Sequence, residues 1–416
     1  MKVLVLGAGV AGMSAAWCLA QDGHDVTVIE RNHGVALETS YANGGQLSYS
    51  YVAPLAGPGV LPKLPPWLLR RDSPLRFTPE WDWRQWRWCL EFVLACTRAQ
   101  SDLTTRRMLT LSFYSRAQMQ RAIAEAGLTF SYVQNGKLIV HTDLGSFESA
   151  RQLMDYQQSL GCEQIALSAD ECVMLEPALA HLRPRLKGGI HTPSEDAGDC
   201  YLFCRGLEDR LRGGGHATFL FNTEIHRILR LKDRVLGIET SQGVLEADAY
   251  VLALGTHSPA LLAPLGIDVP IYPLKGYSLT LPVKSGTGAP RISVTDFKRK
   301  VVYARLGDEL RVAGMADLAG THARIDESRV QTLVSQVRDT FPECSDFSAL
   351  KPWCGLRPAT PRGTPILGPT RYPNLLLNVG HGALGFTLAM GCGRVVADFV
   401  AKRKPEIALD GFLLDR

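Results

Sequence analysis

The sequence contains no C-x-x-C pair, no cysteine–histidine cluster at metal-ligand spacing, no internal repeat and no low-complexity tract. The first two absences exclude a zinc centre and a vicinal dithiol, so no metal is expected. Charge of one sign is also scarce. Against 41 acidic side chains stand 45 basic ones, and a dispersed net charge of +4 excludes a nucleic-acid surface. No signal-peptide pattern or long apolar run precedes the first strand, so the expectation is a cytoplasmic protein in a reducing compartment. Its ten cysteines then read as buried free thiols, with Cys200 and Cys204 on one helix face. At 46% hydrophobic and 21% charged the composition is ordinary, and 416 residues give room for two or three domains with a large core.

What is present begins at once. Val3 to Leu6 is a continuous apolar run, as in a strand buried on both faces of a parallel sheet. GAGVAG, Gly7 to Gly12, follows, then a helical stretch from Met13 to Gln21. A second strand, DVTVIE, ends in Glu30. Strand, glycine turn, helix, strand and acid at this spacing make a βαβ dinucleotide site. Gly7 permits the turn, Gly9 lets a pyrophosphate approach the backbone, and Gly12 lets helix and strand pack closely. The helix N-terminus offers free N–H groups to phosphate. Glu30 accepts from a ribose hydroxyl and disfavours a 2′-phosphate. Spacing alone leaves NAD and FAD both open.

Nucleotide-binding character returns twice. A buried strand from Tyr250 to Leu254 ends at Gly255, where the chain turns beside a nucleotide. Later, Leu375 to Val379 is a strand, Gly380 to Gly385 a loop and Phe386 to Lys402 a helix whose N-terminus faces an anionic ring edge. The nucleotide domain is therefore discontinuous, built from 1–50, 196–262 and 351–416. Residues 51–195 and 263–350 form a second domain, with helices over 101–127, 146–160 and 326–341. Segment 51–98 holds five of the seven tryptophans, from Trp67 to Trp88, interleaved with Arg70, Arg71, Arg76, Arg84 and Arg87. Two readings follow: peripheral contact with a membrane, or a helical cap with its tryptophans buried.

Seven stretches in order, GAGVAG with Glu30-Arg31, ETSYANGGQLS, GGIHTPSEDAGDCYLF, YPLKGYSLTLP, RVAGMADLAG, WCGLRPATPRGTPILG and NVGHGALGFTLAMGCG, run over nearly the whole chain. Together they resemble the glycine oxidase and D-amino acid oxidase superfamily of FAD enzymes, and within it the small-subunit type of D-amino acid dehydrogenase. The chain departs from the family pattern at Arg362, Phe386 and Cys392, where an acid, a tryptophan and a serine are usual. The resemblance implies an α/β fold: a doubly wound, Rossmann-like FAD-binding domain and an α+β substrate domain whose large antiparallel sheet roofs the flavin.

It also implies the chemistry. Hydride passes from the substrate Cα to flavin N5, and the imino acid hydrolyses to a 2-oxo acid and ammonia. Arg357, in GLRP, is the expected carboxylate anchor, because a guanidinium binds carboxylate bidentately. Tyr277 and Tyr303 are expected on flavin-facing strands, with Tyr51 and His381 as further pocket residues. For FAD, Gly7, Gly9, Ala11 and Gly12 are expected at the pyrophosphate, and Glu30 and Arg31 at the ribose. Ser40, Asn43, Gly44, Gly45 and Gln46 are expected along the next loop, with Ile225 at the adenine and Gly255 beside the nucleotide. Gly382, Gly385, Phe386 and Thr387 are expected to direct N–H groups at the flavin C2 carbonyl. Three functions follow: a D-amino acid dehydrogenase passing electrons to a quinone or other carrier, placed in the cytoplasm or at the inner face of the membrane; an oxygen-using oxidase of glycine, sarcosine or an imino acid such as D-hydroxyproline; and a nucleotide-binding sensor without turnover.

Overall fold

A computed structural model describes residues 1–63, 73–284, 286 and 288–414. The apolar run near the N-terminus becomes strand Lys2–Leu6, and GAGVAG leads into helix Val10–Gln21. That strand lies inside a six-stranded sheet. The order is Ile366–Pro369, Leu375–Val379, Ala249–Leu252, Lys2–Leu6, Asp25–Ile29 and Ala217–Leu220. Every pairing is parallel except that of the Ile366 edge strand. From Lys2–Leu6 the sheet grows in both directions, so the crevice outside its carboxyl end, between Leu6 and Leu252, is the switch point where such sheets bind ligands. Gly7 turns there at φ 100°, and a Cβ on it would lie 2.8 Å from the Ala253 carbonyl oxygen.

One face of this sheet carries helices Val10–Gln21, Cys200–Gly213 and Gly385–Val400, which enclose Met13, Phe203, Leu207 and Val396. Helix Arg98–Ala126 packs outside them through Met119 and Ala122. On the other face a three-stranded meander spanning 225–245 covers Tyr250, Leu252 and Leu377. All ten cysteines are free and nine are buried, Cys200 and Cys204 among them.

The larger sheet has nine strands. Its path runs Lys351–Ala359, Tyr272–Pro282, Glu309–Leu318, Val301–Leu306, Ser293–Asp296, Lys137–His141, Gly188–Thr192 and Ile165–Leu167, with Leu75–Phe77 beside Glu309–Leu318. It is antiparallel except at the Ser293–Lys137 and Leu75–Ala316 pairings. Helix Glu327–Thr340 packs Val330, Leu333 and Val337 against its far face. Two boundaries drawn from chain order need correcting. Residues 351–359, expected in the nucleotide domain, pair along their whole length with Tyr272–Pro282 and belong to the larger sheet. The helix over 98–126, expected in the second domain, packs on the helices of the first.

Two helices are locked by missing side chains. On Gly385–Val400, a Cβ at Gly391 would lie 2.8 Å from Ser115 Cβ, and one at Gly393 would lie 2.7 Å from the Ser14 backbone. Backbone meets backbone at both crossings. Gly393→Ala should therefore push this helix away from Val10–Gln21 and destabilise the protein by about 1–3 kcal/mol. Urea unfolding checks this, and an unchanged midpoint would contradict it.

Candidate active site

Among the longer helices the starts differ in how they are capped. The helices beginning at Trp83, Arg98, Leu144, Ala169, Cys200 and Glu327 are each capped by the side chain of the residue before them, an Asp, Ser or Thr. Val10–Gln21 and Gly385–Val400 follow Gly9 and Leu384 and have no such cap. Val10 N is taken by Ser40 Oγ, and the partial positive charge of both starts remains available to a ligand. Both starts open into one cavity of about 1380 Å³. Small-molecule pockets usually run to roughly 300–1,000 Å³, so this space suits a dinucleotide together with a substrate.

At one end stand Gly7, Gly9 and Ala11, with Glu30, Arg31, Ile225 and Gly255 around them. Glu30 Oε2 accepts from Ala8 N at 2.9 Å, and its Oε1 accepts from Asn32 N at 2.9 Å. Arg31 pairs with Glu38 and also touches His257. Ser40 Oγ accepts from Val10 N at 3.0 Å, tying the 38–48 loop to the glycine turn. Asn43, Gly44, Gly45 and Gln46 carry the wall onward to Gly382, Gly385 and Phe386. His381 is buried there, its Nε2 3.1 Å from Asn378 Oδ1, and burial pushes its pKa down to about 4. Burial thus favours the neutral imidazole.

At the other end the larger sheet supplies Arg357. Its Nη1 donates to the Met315 carbonyl at 2.9 Å, and a Cβ on cross-strand Gly276 would collide with the guanidinium. Burial lowers its pKa from the ordinary value while Asp317 opposes this. Among the described residues no carboxylate pairs with it. Leu274, Met315, Trp88 and Phe92 surround this end of the cavity. Trp88 Nε1 donates to the Ala359 carbonyl at 2.8 Å, and its ring stacks on Phe92.

Three expected residues, Tyr303, Thr387 and Gly12, lie off the cavity wall, and a fourth, Tyr277, reaches it without its hydroxyl. Tyr303 is fully buried behind the sheet, with its hydroxyl 3.2 Å from Thr340 Oγ1 and its ring edge-on to Phe341. Its neighbour Val302 faces the cavity, and a strand sends successive side chains to opposite faces. The same alternation moves Tyr277. Gly276 and Ser278 face the cavity, whereas the Tyr277 hydroxyl points to Asp317 Oδ2 at 3.4 Å. Tyr277 touches the wall but presents no hydroxyl to it. Thr387 is off the wall, its Oγ1 accepting from Ser48 N at 3.0 Å and its carbonyl from Ser115 Oγ at 2.7 Å. Gly12 also leaves the wall; a Cβ there would strike the Gly7 carbonyl, so it serves packing. Tyr51 stands on the wall beneath Lys137, 4.3 Å from Nζ to ring centroid.

Sequence reasoning missed Trp88, Phe92, Met315 and Lys137. Trp88 lay hidden in the tryptophan-rich segment, which the structure divides. Trp88 turns inward while Trp81, Trp83 and Trp86 are exposed, and Trp67, Arg70 and Arg71 lie outside the described residues. No group of acids, histidines and cysteines able to hold a metal occurs among the described residues. Among the described residues one segment, Gly382–Val400, is long and apolar enough to cross a bilayer, and it is mostly buried in the core.

A family model described as FAD dependent oxidoreductase matches residues 2–399. D-amino acid dehydrogenase 2 of Ralstonia nicotianae is 52% identical over 425 aligned residues, covering all of both chains. A D-amino acid dehydrogenase of Paramagnetospirillum magneticum is 44% identical, over 100% of this chain and 99% of that one. Glycine oxidase from Geobacillus kaustophilus shares the fold with a TM-score of 0.79 at 20% identity, over 100% of this chain and 99% of that one. L-proline dehydrogenase from P. horikoshii does so at 0.76 and 18%, over 99% and 96%. The residues present fit FAD: two uncapped helix starts, a glycine turn that a Cβ would block, and an acid at the end of the second strand, all on one cavity.

The alternation that buries Tyr303 makes a sharp expectation. Tyr303→Phe should leave kcat/KM within about twofold while costing about 0.5–1.5 kcal/mol for the lost hydrogen bond. A large kinetic defect with normal stability would return Tyr303 to the site.

Proposed function

The chain belongs to the family of FAD dependent oxidoreductases, and from that premise we propose that it oxidises D-amino acids to 2-oxo acids and ammonia. Relatives named D-amino acid dehydrogenase, similar along the whole chain, support the substrate class. The observation that carries the reading is Arg357. Among the described residues it is a guanidinium with no carboxylate in ion-pair contact, set in an apolar end of the same cavity that receives the two helix starts. An α-carboxylate is the matching anion, since two parallel N–H···O bonds fix its plane as well as its position.

Bound FAD supplies the acceptor for two electrons and the Cα hydrogen. The chain's own residues do the rest. Gly7 and Gly9, with Glu30 and Arg31, would hold the adenosine and pyrophosphate end, and the N–H groups of the first turn after Leu384 would face the ring. Arg357 holds the carboxylate and so sets the orientation of Cα. Leu274, Met315, Trp88 and Phe92 exclude water. That same desolvation lowers the pKa of the substrate ammonium, favouring the neutral amine that oxidation requires. The released proton passes to solvent. Loss of two electrons and the Cα hydrogen leaves an imino acid, which water converts to the 2-oxo acid and ammonia.

The acceptor reading is a quinone at the inner face of a membrane. Helix Trp83–Ala95 supports it because its two faces differ. Trp88 and Phe92 reach the cavity, while Trp83, Trp86, Leu90, Val93 and Leu94 are exposed beside Arg84 and Arg87. Tryptophan and arginine together suit a lipid interface.

Arg357→Ala should lower kcat/KM roughly 10–100-fold, the loss of a charged hydrogen bond worth about 1.5–3 kcal/mol. Dye reduction under argon with a panel of D- and L-amino acids measures it, and near-normal kinetics would remove Arg357 from the anchor role. Trp83→Ser with Leu94→Ser should reduce cosedimentation with anionic vesicles and leave dye reduction unchanged. Equal sedimentation of variant and parent would remove the membrane reading.

A further inference from the structure

Lys137 has no packing reason to be where it is. In strand Lys137–His141, Leu138 and Val140 turn into the apolar core behind the larger sheet. Lys137 turns the other way, onto the cavity wall, and is 2% exposed. Taking an ammonium out of water costs several kcal/mol unless it is well paired. Here the pairing is incomplete. Nζ donates to Ser48 Oγ at 2.8 Å and lies over the Tyr51 ring, and among the described residues no carboxylate comes within ion-pair distance. An ammonium carries three protons, and this contact uses one.

The opposing charge is Glu195. It is equally buried but stands behind the cavity wall rather than in it. Its Oε1 accepts from Ser50 N at 2.6 Å, and among the described residues its Oε2 is buried with no hydrogen bond of good geometry. Burial pushes Lys137 down and Glu195 up, and each charge holds the other back. The pair is thus polarised, with its cationic end toward the cavity.

Ser48 links that cation to the helix start. While its hydroxyl accepts from Lys137, its N–H donates to Thr387 Oγ1 at 3.0 Å, and Thr387 lies in the first turn of Gly385–Val400. A buried amine and a helix N-terminus therefore converge on one stretch of wall.

We propose that Lys137 charges this stretch of wall and, with the helix N-terminus, favours the electron-rich reduced state of the FAD held against it. The inference rests on the reading that the ring edge meets the start of Gly385–Val400. Its logic is electrostatic: reduction brings negative charge to the cofactor, and a preorganised cation in a dry site stabilises that charge without reorganising.

The test is the midpoint potential of bound FAD, measured by anaerobic titration against a reference dye at neutral pH. Parent, Lys137→Met and Lys137→Gln are compared. Both neutral variants should retain FAD and show a potential lower by about 30–60 mV, which is a 10–100-fold loss of preference for the reduced form. Lys137→Gln keeps a donor for Ser48 and serves if Lys137→Met fails to fold. An unchanged potential with FAD bound overturns the inference while leaving the proposed function standing. A parent protein that takes up no FAD overturns both.

Discussion

The site depends on one close crossing, that of the opening helix Val10–Gln21 and the closing helix Gly385–Val400. Gly393 lies against the Ser14 backbone, so the two axes approach as near as main chains allow. That approach fixes where both uncapped N-termini point, and they point into a single cavity. Ser40 and Ser48 extend the arrangement, one bonding to the first residue of the opening helix and the other to the first turn of the closing one. The loop between them is thereby stretched along the cavity wall.

The larger sheet answers a different need. Its cavity-facing residues include glycines and small side chains, Gly276, Ser278, Ala313 and Gly314, which leave room above the smaller sheet. Into that room it sends few charged groups, Arg357 near one edge and Lys137 five strands away. Gly276 is what allows the Arg357 guanidinium to lie flat across the neighbouring strand. Behind the sheet, Asp317 pairs with Arg329 and with Arg76, so the same strands present a dense ionic network on the far side and a sparse one on the near side. The sparse side is where one added carboxylate has an obvious place.

Much of this was legible in the residues. GAGVAG with Glu30 specified the βαβ unit because strand, turn and helix are local in sequence. The C-terminal loop and helix were legible for the same reason. Side-chain facing was not. One residue of register separates Val302 from Tyr303 and Gly276 from Tyr277, and only pairing to distant strands sets it. Domain boundaries failed similarly, since Lys351–Ala359 joins the larger sheet through partners far away in the chain. Lys137 gave no local signal at all, because its burial comes from Ser48, Tyr51 and Glu195, three residues from two remote segments.

The central claim is that both helix starts and Arg357 serve one bound pair, FAD and an amino acid. A crystal structure of the protein with FAD and a non-reacting D-amino acid analogue tests it most directly. The account predicts pyrophosphate at Gly7–Ala11, the flavin ring edge at Gly382–Phe386, and the analogue carboxylate within about 3 Å of the Arg357 guanidinium. A carboxylate bound elsewhere, with Arg357 still on the Met315 carbonyl alone, would contradict it.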